Sequence, residues 1–226
     1  MNRASNTQLI LIEGLPGSGK SSLGQSIATL LQQHRLPATC ISELDTNHPV
    51  TGKPLRQSAS RPDFADRCIE SWTNFATNQN SESITVLEGC FFQNTVRFLI
   101  EHEHPDSHLQ RYFNSSEAVL AELAPLHIYL SHPNKRDYLR THLARRKGRE
   151  TVARIARYTE STPWAVRRSF EGTDALLALY SAYGARCDQL IAGSVYPTLF
   201  LDPIQHSQPA VLQRAKRWLL EAEPID

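Results

Sequence analysis

The chain has 226 residues, 40% hydrophobic and 21% charged, with a formal net charge of +1. A chain of this length buries a sizeable core, and its balanced charge excludes a disordered polyelectrolyte and gives no global reason to bind nucleic acid or a membrane. Four scattered cysteines (Cys40, Cys68, Cys90, Cys187) without CxxC spacing argue against a zinc site or a disulfide framework.

In chain order, the apolar run at 8–13 reads as a buried first strand, and 22–33 as a helix with Leu23, Ile27, Leu30 and Leu31 on one face. Residues 38–42 form a second strand. The Pro-, Gly- and Ser-rich stretch 47–60 reads as a mobile loop, followed by a helix at 61–77. Further strands are predicted at 84–87, 126–130 and 198–201, with helices at 94–103, 115–123, 134–147, 150–158, 172–192 and 208–222. Strands alternating with helices of this length require crossover connections. The expected fold is therefore α/β, a three-layer α/β/α domain over 1–226 with a five-stranded parallel sheet and a helical lid at about 134–170. The first eight residues are polar and no later run reaches the roughly 18 apolar residues of a membrane span, so a cytoplasmic protein is expected.

Gly14-Leu-Pro-Gly-Ser-Gly-Lys-Ser21 matches G-x-x-x-x-G-K-[ST] between the first strand and the first helix. Glycines let the backbone wrap so that its N–H groups and the helix N-terminus face phosphate oxygens. Leu15, Pro16, Gly17, Ser18, Gly19, Lys20, Ser21 and Ser22 are the candidate triphosphate contacts. Lys20 would reach the β- and γ-phosphates, and the Ser21 hydroxyl would ligate Mg²⁺.

Here the chain resembles the P-loop kinases, which include nucleoside, nucleotide and shikimate-type small-molecule kinases. The resemblance implies ATP and Mg²⁺ as donor and metal, and a hydroxyl- or phosphate-bearing small molecule as acceptor.

Three further features choose among phosphate chemistries. The second strand runs into Glu43 and Asp45, which share one face if the strand continues. In the resembling kinases acids here serve as base, substrate anchor or metal partner; either can be the base, with Glu43 preferred. The third strand ends in Glu88, which looks like the Walker B acid of the metal shell. Deoxynucleoside kinases usually follow that acid with arginine, whereas this chain has Gly89. The segment 134–157 holds nine Lys or Arg (135, 136, 140, 145, 146, 147, 149, 154, 157) against two acids. It is similar to the arginine-rich lid of nucleoside and nucleotide kinases. Arg140, Arg145 and Arg149, at helical spacings of five and four, are the candidates for charge stabilisation of the migrating group.

Asn134-Lys-Arg-Asp137 also fits the N-K-x-D guanine motif, but the Asp-x-x-Gly of a GTPase is missing, and Asn134 reads better as a helix cap. Trp72 and Phe75 lie on the helix where the resembling kinases place their acceptor pocket, and Phe91 and Phe92 follow Glu88 closely; all four read as core residues in preference to pocket lining. The expected activity is ATP- and Mg²⁺-dependent phosphoryl transfer to a small molecule, with a regulatory switch NTPase acting on a protein partner as the alternative. Oligomeric state and acceptor identity stay open at this level.

Overall fold

The computed structural model describes residues 2–50, 53–80, 82–89, 91–143, 148–203 and 205–221. Its five strands are β1 (Leu9–Gly14), β2 (Ala38–Ile41), β3 (Ile84–Glu88), β4 (Leu126–Leu130) and β5 (Thr198–Leu201). They form one all-parallel sheet in the order β2-β3-β1-β4-β5.

The three central strands are buried on both faces, and β1 displays how the sequence achieves this. Alternate residues point to opposite sides of a strand. Leu9 and Leu11 enter one core with Leu87 and Tyr129, while Ile10 and Ile12 enter the other with Val86, Ile128 and Leu199. The second core is closed by α1 (Lys20–Gln33) and by α10 (Gln208–Leu220), through Leu23, Ile27, Val211 and Trp218. The first and larger core is closed by α3 (Phe64–Thr77), α5 (Asp106–Leu120) and α9 (Gly172–Ala192). Runs that are apolar throughout suit strands covered on both faces.

The remaining helices are α2 (Lys53–Gln57), α4 (Val96–Glu101), α6 (Lys135–Tyr138), α7 (Arg149–Glu160) and α8 (Pro163–Arg167). Three expectations need correction. The 47–60 stretch contains α2, and Val50, Ser58 and Ala59 are buried. Helix α5 starts nine residues before the 115 expected for it, because its inner face is carried by Leu109, Tyr112 and Phe113 packed into the larger core. Of the helix expected at 134–147, the described residues form α6 and then a π-helical turn, Leu139–Leu143, while 144–147 lie outside the described residues; α7 begins after Gly148. In the 134–170 region Trp164 and Ala165 of α8 pack on Ala175 and Leu179 of α9.

Trp72, Phe91 and Phe92 are core residues, and Trp72 Nε1 donates to Tyr112 Oη at 2.9 Å. Cys40, Cys68 and Cys187 are free thiols. Among the described residues no helix is long and apolar enough to cross a membrane.

Candidate active site

Strand β1 lies between β3 and β4, so connections on its two sides run in opposite directions and leave a crevice at its carboxyl end. The glycine-rich loop fills that crevice. Gly17 and Gly19 take φ of 80° and 97°, which L side chains rarely adopt, and Gly19 leads directly into α1. A Cβ at Gly14 would lie 2.7 Å from the Leu130 carbonyl oxygen, so only glycine lets the loop leave the sheet against β4.

Lys20 is 4% exposed. Its ammonium donates to the Gly14 and Leu15 carbonyls at 3.1 and 3.2 Å and to Gln93 Oε1 at 3.1 Å. It therefore lies under the loop, beside the first-turn N–H groups of α1, which have no acceptor within their own helix.

Pro16, Gly17, Gly19, Lys20, Ser21, Ser22, Glu43, Glu88 and Gln93 line one cavity of about 180 Å³. The cup, both strand-tip acids and one amide thus meet around a single space. Glu43 N–H faces Glu88 Oε2 at 3.4 Å, and Glu43 Oε2 accepts from Gln93 Nε2 at 2.5 Å. Burial raises the Glu88 carboxyl above the usual carboxylate range; Lys20 opposes this, Glu43 adds to it, and the Ser21 hydroxyl hydrogen-bonds to it. A serine hydroxyl beside a carboxylate is the hard-oxygen pair that Mg²⁺ takes alongside phosphate and water, and a divalent cation would offset two acids that face one lysine. Ser21 and Glu88 fit that ion.

Asp45 stands apart from this cluster. Strand β2 ends at Ile41, and the following residues turn: Asp45 N–H donates to the Ser42 carbonyl at 3.0 Å, and its Oδ2 accepts from Ser42 N–H at 2.7 Å. The same-face argument for Glu43 and Asp45 holds only in a strand, so it fails here. Glu43 alone lines the cavity.

Gly89 has a steric reason. It takes φ +82°, and a Cβ there would sit 3.0 Å from Lys20 Cε and 3.5 Å from Glu43 Oε2. A side chain following Glu88 would push directly on the lysine.

Two polar residues at the site escape a reading of the sequence. Gln93 has no motif around it; the only signal is a polar residue five positions past a strand-tip acid. Glu13, next to the loop, is fully buried. Its Oε1 accepts from Phe91 N–H at 2.7 Å, and Oε2 has no hydrogen-bond partner among the described residues. Burial pushes its carboxyl up to about 8, against the Lys20 charge and the Phe91 N–H, which pull it down. At neutral pH it carries its proton.

A second cavity of about 310 Å³ shares Gly19 and Ser22 with the lining of the first. Its walls are Leu23 and Ser26 of α1, Leu130 of β4, and Pro203, His206, Gln208, Pro209, Val211 and Leu212 after β5. The sequence assigns none of these side chains to a site, because their apolar periodicity reads as ordinary helix packing.

The basic segment behaves differently from a single lid face. Lys135 pairs with Asp188, Arg136 with Asp174 at 2.7 Å, and Arg140 with Asp137 at 3.1 Å. Arg140 lies in the π-helical turn while Arg149 opens α7, so the two do not share one helix face. Arg145 lies outside the described residues. Arg149, Arg154 and Arg157 make no ion pair among the described residues. Asn134 Oδ1 accepts from Asp137 N–H at 3.2 Å and its Nδ2 donates to Asp137 Oδ2 at 2.5 Å. The N-K-x-D residues are thus used up in capping and in the pair with Asp188.

No family model matches the chain, and no curated protein matches it in sequence. Solved structures match in shape. A sugar kinase from a Janibacter species superposes over 96% of this chain and 97% of its own with a TM-score of 0.51 at 12% identity. The thymidylate kinase of Candida albicans superposes over 93% of this chain and 89% of its own with a TM-score of 0.50 at 14% identity. The chain has the P-loop kinase fold. The deoxyadenosine kinase of M. mycoides with bound dATP also aligns, over 93% of this chain and 98% of its own, at 12% identity and a TM-score of 0.48. In the P-loop kinase fold of this chain, the cup, the strand-tip acids and the larger cavity all lie along the carboxyl edge of one sheet.

Proposed function

We propose that this protein is a Mg²⁺- and ATP-dependent phosphotransferase that moves the γ-phosphoryl group of ATP to a hydroxyl of a small molecule. The observation that carries this reading is the meeting of Lys20, Ser21, Glu43 and Glu88 around one cavity at the mouth of the glycine-rich loop. A switch NTPase needs the lysine and the metal-side residues; a buried-edge carboxylate placed to receive a proton from an attacking hydroxyl is the additional part a kinase needs.

In this reading the loop amides from Gly17 to Ser21 bind the triphosphate and Lys20 bridges its outer phosphates. The cavity between α1 and the segment after β5 takes the base, its apolar walls covering the ring faces. Ser21 and Glu88 would hold Mg²⁺, which would supply positive charge to offset that of the phosphates. Glu43 orients the acceptor hydroxyl and accepts its proton as the oxygen attacks. Of the three lid arginines in the basic segment expected to stabilise charge on the migrating group, Arg140, Arg145 and Arg149, we assign that role to Arg149. It opens α7 and has no ion-pair partner among the described residues, a property it shares with Arg154 and Arg157. That structures sharing the fold include a sugar kinase and a thymidylate kinase supports a small-molecule acceptor, and we favour a nucleoside-like or polyhydroxylated one.

The test is incubation of the purified protein with MgATP and a panel of sugars, nucleosides and other hydroxyl compounds, read by mass spectrometry. The expected result is one class of compound gaining the mass of a phosphoryl group. ATP hydrolysis that no compound in a broad panel stimulates, but a protein partner does, would favour the switch NTPase instead.

A further inference from the structure

Gln93 stands between the two charged side chains that the proposed reaction uses. Its amide orientation is fixed by chemistry, because an ammonium can only donate and a carboxylate accepts. Hence Oε1 faces Lys20 Nζ at 3.1 Å and Nε2 faces Glu43 Oε2 at 2.5 Å. One planar amide links residues 73 and 50 positions away in the chain.

The segment that presents this amide is held from several sides. Phe91 N–H is bound by Glu13, and the Phe91 carbonyl accepts from Tyr112 Oη at 2.7 Å and from Thr95 Oγ1 at 2.6 Å. The Gln93 carbonyl itself accepts from Arg97 Nε at 3.2 Å, and Arg97 is anchored by Glu101. Gln93 is 9% exposed. A side chain held on so much buried structure has little freedom to adopt another rotamer, so its contacts are imposed by the fold.

We propose that Gln93 is a positioning residue that couples the triphosphate cup to the acceptor carboxylate, by tying Lys20 and Glu43 to one amide. This rests on the phosphotransferase reading and goes beyond it. All three Lys20 donors are met by protein carbonyls, so a triphosphate oxygen takes Lys20 only by displacing one of them. Gln93 Oε1 is the one acceptor of the three that is a side-chain oxygen and not a backbone carbonyl of the loop. When Lys20 turns to phosphate, the amide keeps its hold on Glu43 and leaves Glu43 Oε1 for the acceptor hydroxyl. Hydrogen bonds joined through one amide polarise each other, so a change at either end is felt at the other. Gly89 makes room for this arrangement, since a side chain there would intrude on both Lys20 and Glu43.

A double-substitution cycle tests the coupling without knowledge of the acceptor. MgATP is titrated calorimetrically into the wild-type protein, Gln93→Leu, Glu43→Gln and the double variant. Coupling through Gln93 makes the effect of Glu43→Gln on the MgATP dissociation constant differ by about threefold or more between the wild-type and Gln93→Leu backgrounds. A merely structural Gln93 gives the same factor in both, and that result overturns the proposal. If Gln93→Leu does not fold, Gln93→Met keeps the side-chain length and completes the cycle. Wild-type protein that binds no MgATP would sink the triphosphate reading itself, an outcome distinct from binding with multiplicative effects.

Discussion

Glu43, two residues past the end of β2, meets Glu88, the last residue of the adjacent strand β3, with Glu43 N–H 3.4 Å from Glu88 Oε2. The contact brings both acids into the same space as Lys20, where the proposed reading gives Glu88 to the metal and Glu43 to the acceptor's proton. Replacing Glu43 by Gln keeps its size and removes its basicity. Glu43→Gln is expected to lower acceptor-dependent phosphoryl transfer on the order of 10²-fold or more, with initial rates as the measurement. Asp45→Asn, which alters a carboxylate turned onto Ser42, is expected to change the rate far less. The reverse order would place the base at Asp45.

Gly89→Ala puts a methyl group at φ +82° and 3.0 Å from Lys20 Cε. The expected cost is about 1–3 kcal/mol of backbone strain in urea unfolding, together with weaker MgATP binding as Lys20 is pushed aside. Unchanged affinity would mean that Lys20 accommodates the methyl group without leaving its carbonyl partners.

Glu13 gives the folded protein a proton that the unfolded chain releases. Its carboxyl, ordinarily near 4.5, is pushed up to about 8 by burial. Stability from this group is complete below pH 4.5 and falls as pH rises toward 8, because the folded state then binds the extra proton. His48 and His127 are pushed down from 6.5 to about 4 and 3 by burial, so stability rises as the unfolded histidines lose their protons above pH 6.5, a gain that wild type and Glu13→Gln share. Between pH 6.5 and 8 the wild type is therefore expected to lose about 2 kcal/mol that Glu13→Gln does not lose. Urea midpoints at the two pH values decide this; parallel behaviour of the two proteins contradicts it.

Much of this architecture is legible in the sequence for identifiable reasons. The three central strands stand out as largely apolar runs because the sheet is covered on both faces there, and the glycine-rich loop is encoded locally by glycine, lysine and serine spacing. Glu43 and Glu88 stand out because strand ends point toward ligands in such sheets. What the sequence hides depends on distant packing. Pairing Asp45 with Glu43 assumes a continuing strand, but β2 stops at Ile41 and the chain turns. The first half of α5 hides behind polar residues because its buried face is made by aromatic side chains that pack on other helices. Gln93 becomes meaningful only when residues separated by tens of positions close around it.

The basic segment offers a contrast between paired and unpaired arginines. Arg140 is matched by Asp137, whereas Arg149 has no ion-pair partner among the described residues. Arg149→Ala is expected to reduce phosphoryl transfer by about tenfold or more at unchanged stability, and Arg140→Ala to reduce it less. Equal effects would show that both are recruited to the phosphates, or that neither is.

The proposed chemistry turns on one cup, built around Lys20, that delivers a phosphoryl group to a small acceptor. The most direct measurement is ADP release from MgATP with and without the compound that gains mass in the acceptor screen, in wild type and Lys20→Ala. The expected result is acceptor-stimulated release by the wild type, lost in a Lys20→Ala protein of unchanged fold. Stimulated release that persists without Lys20, or release indifferent to every acceptor, would contradict it.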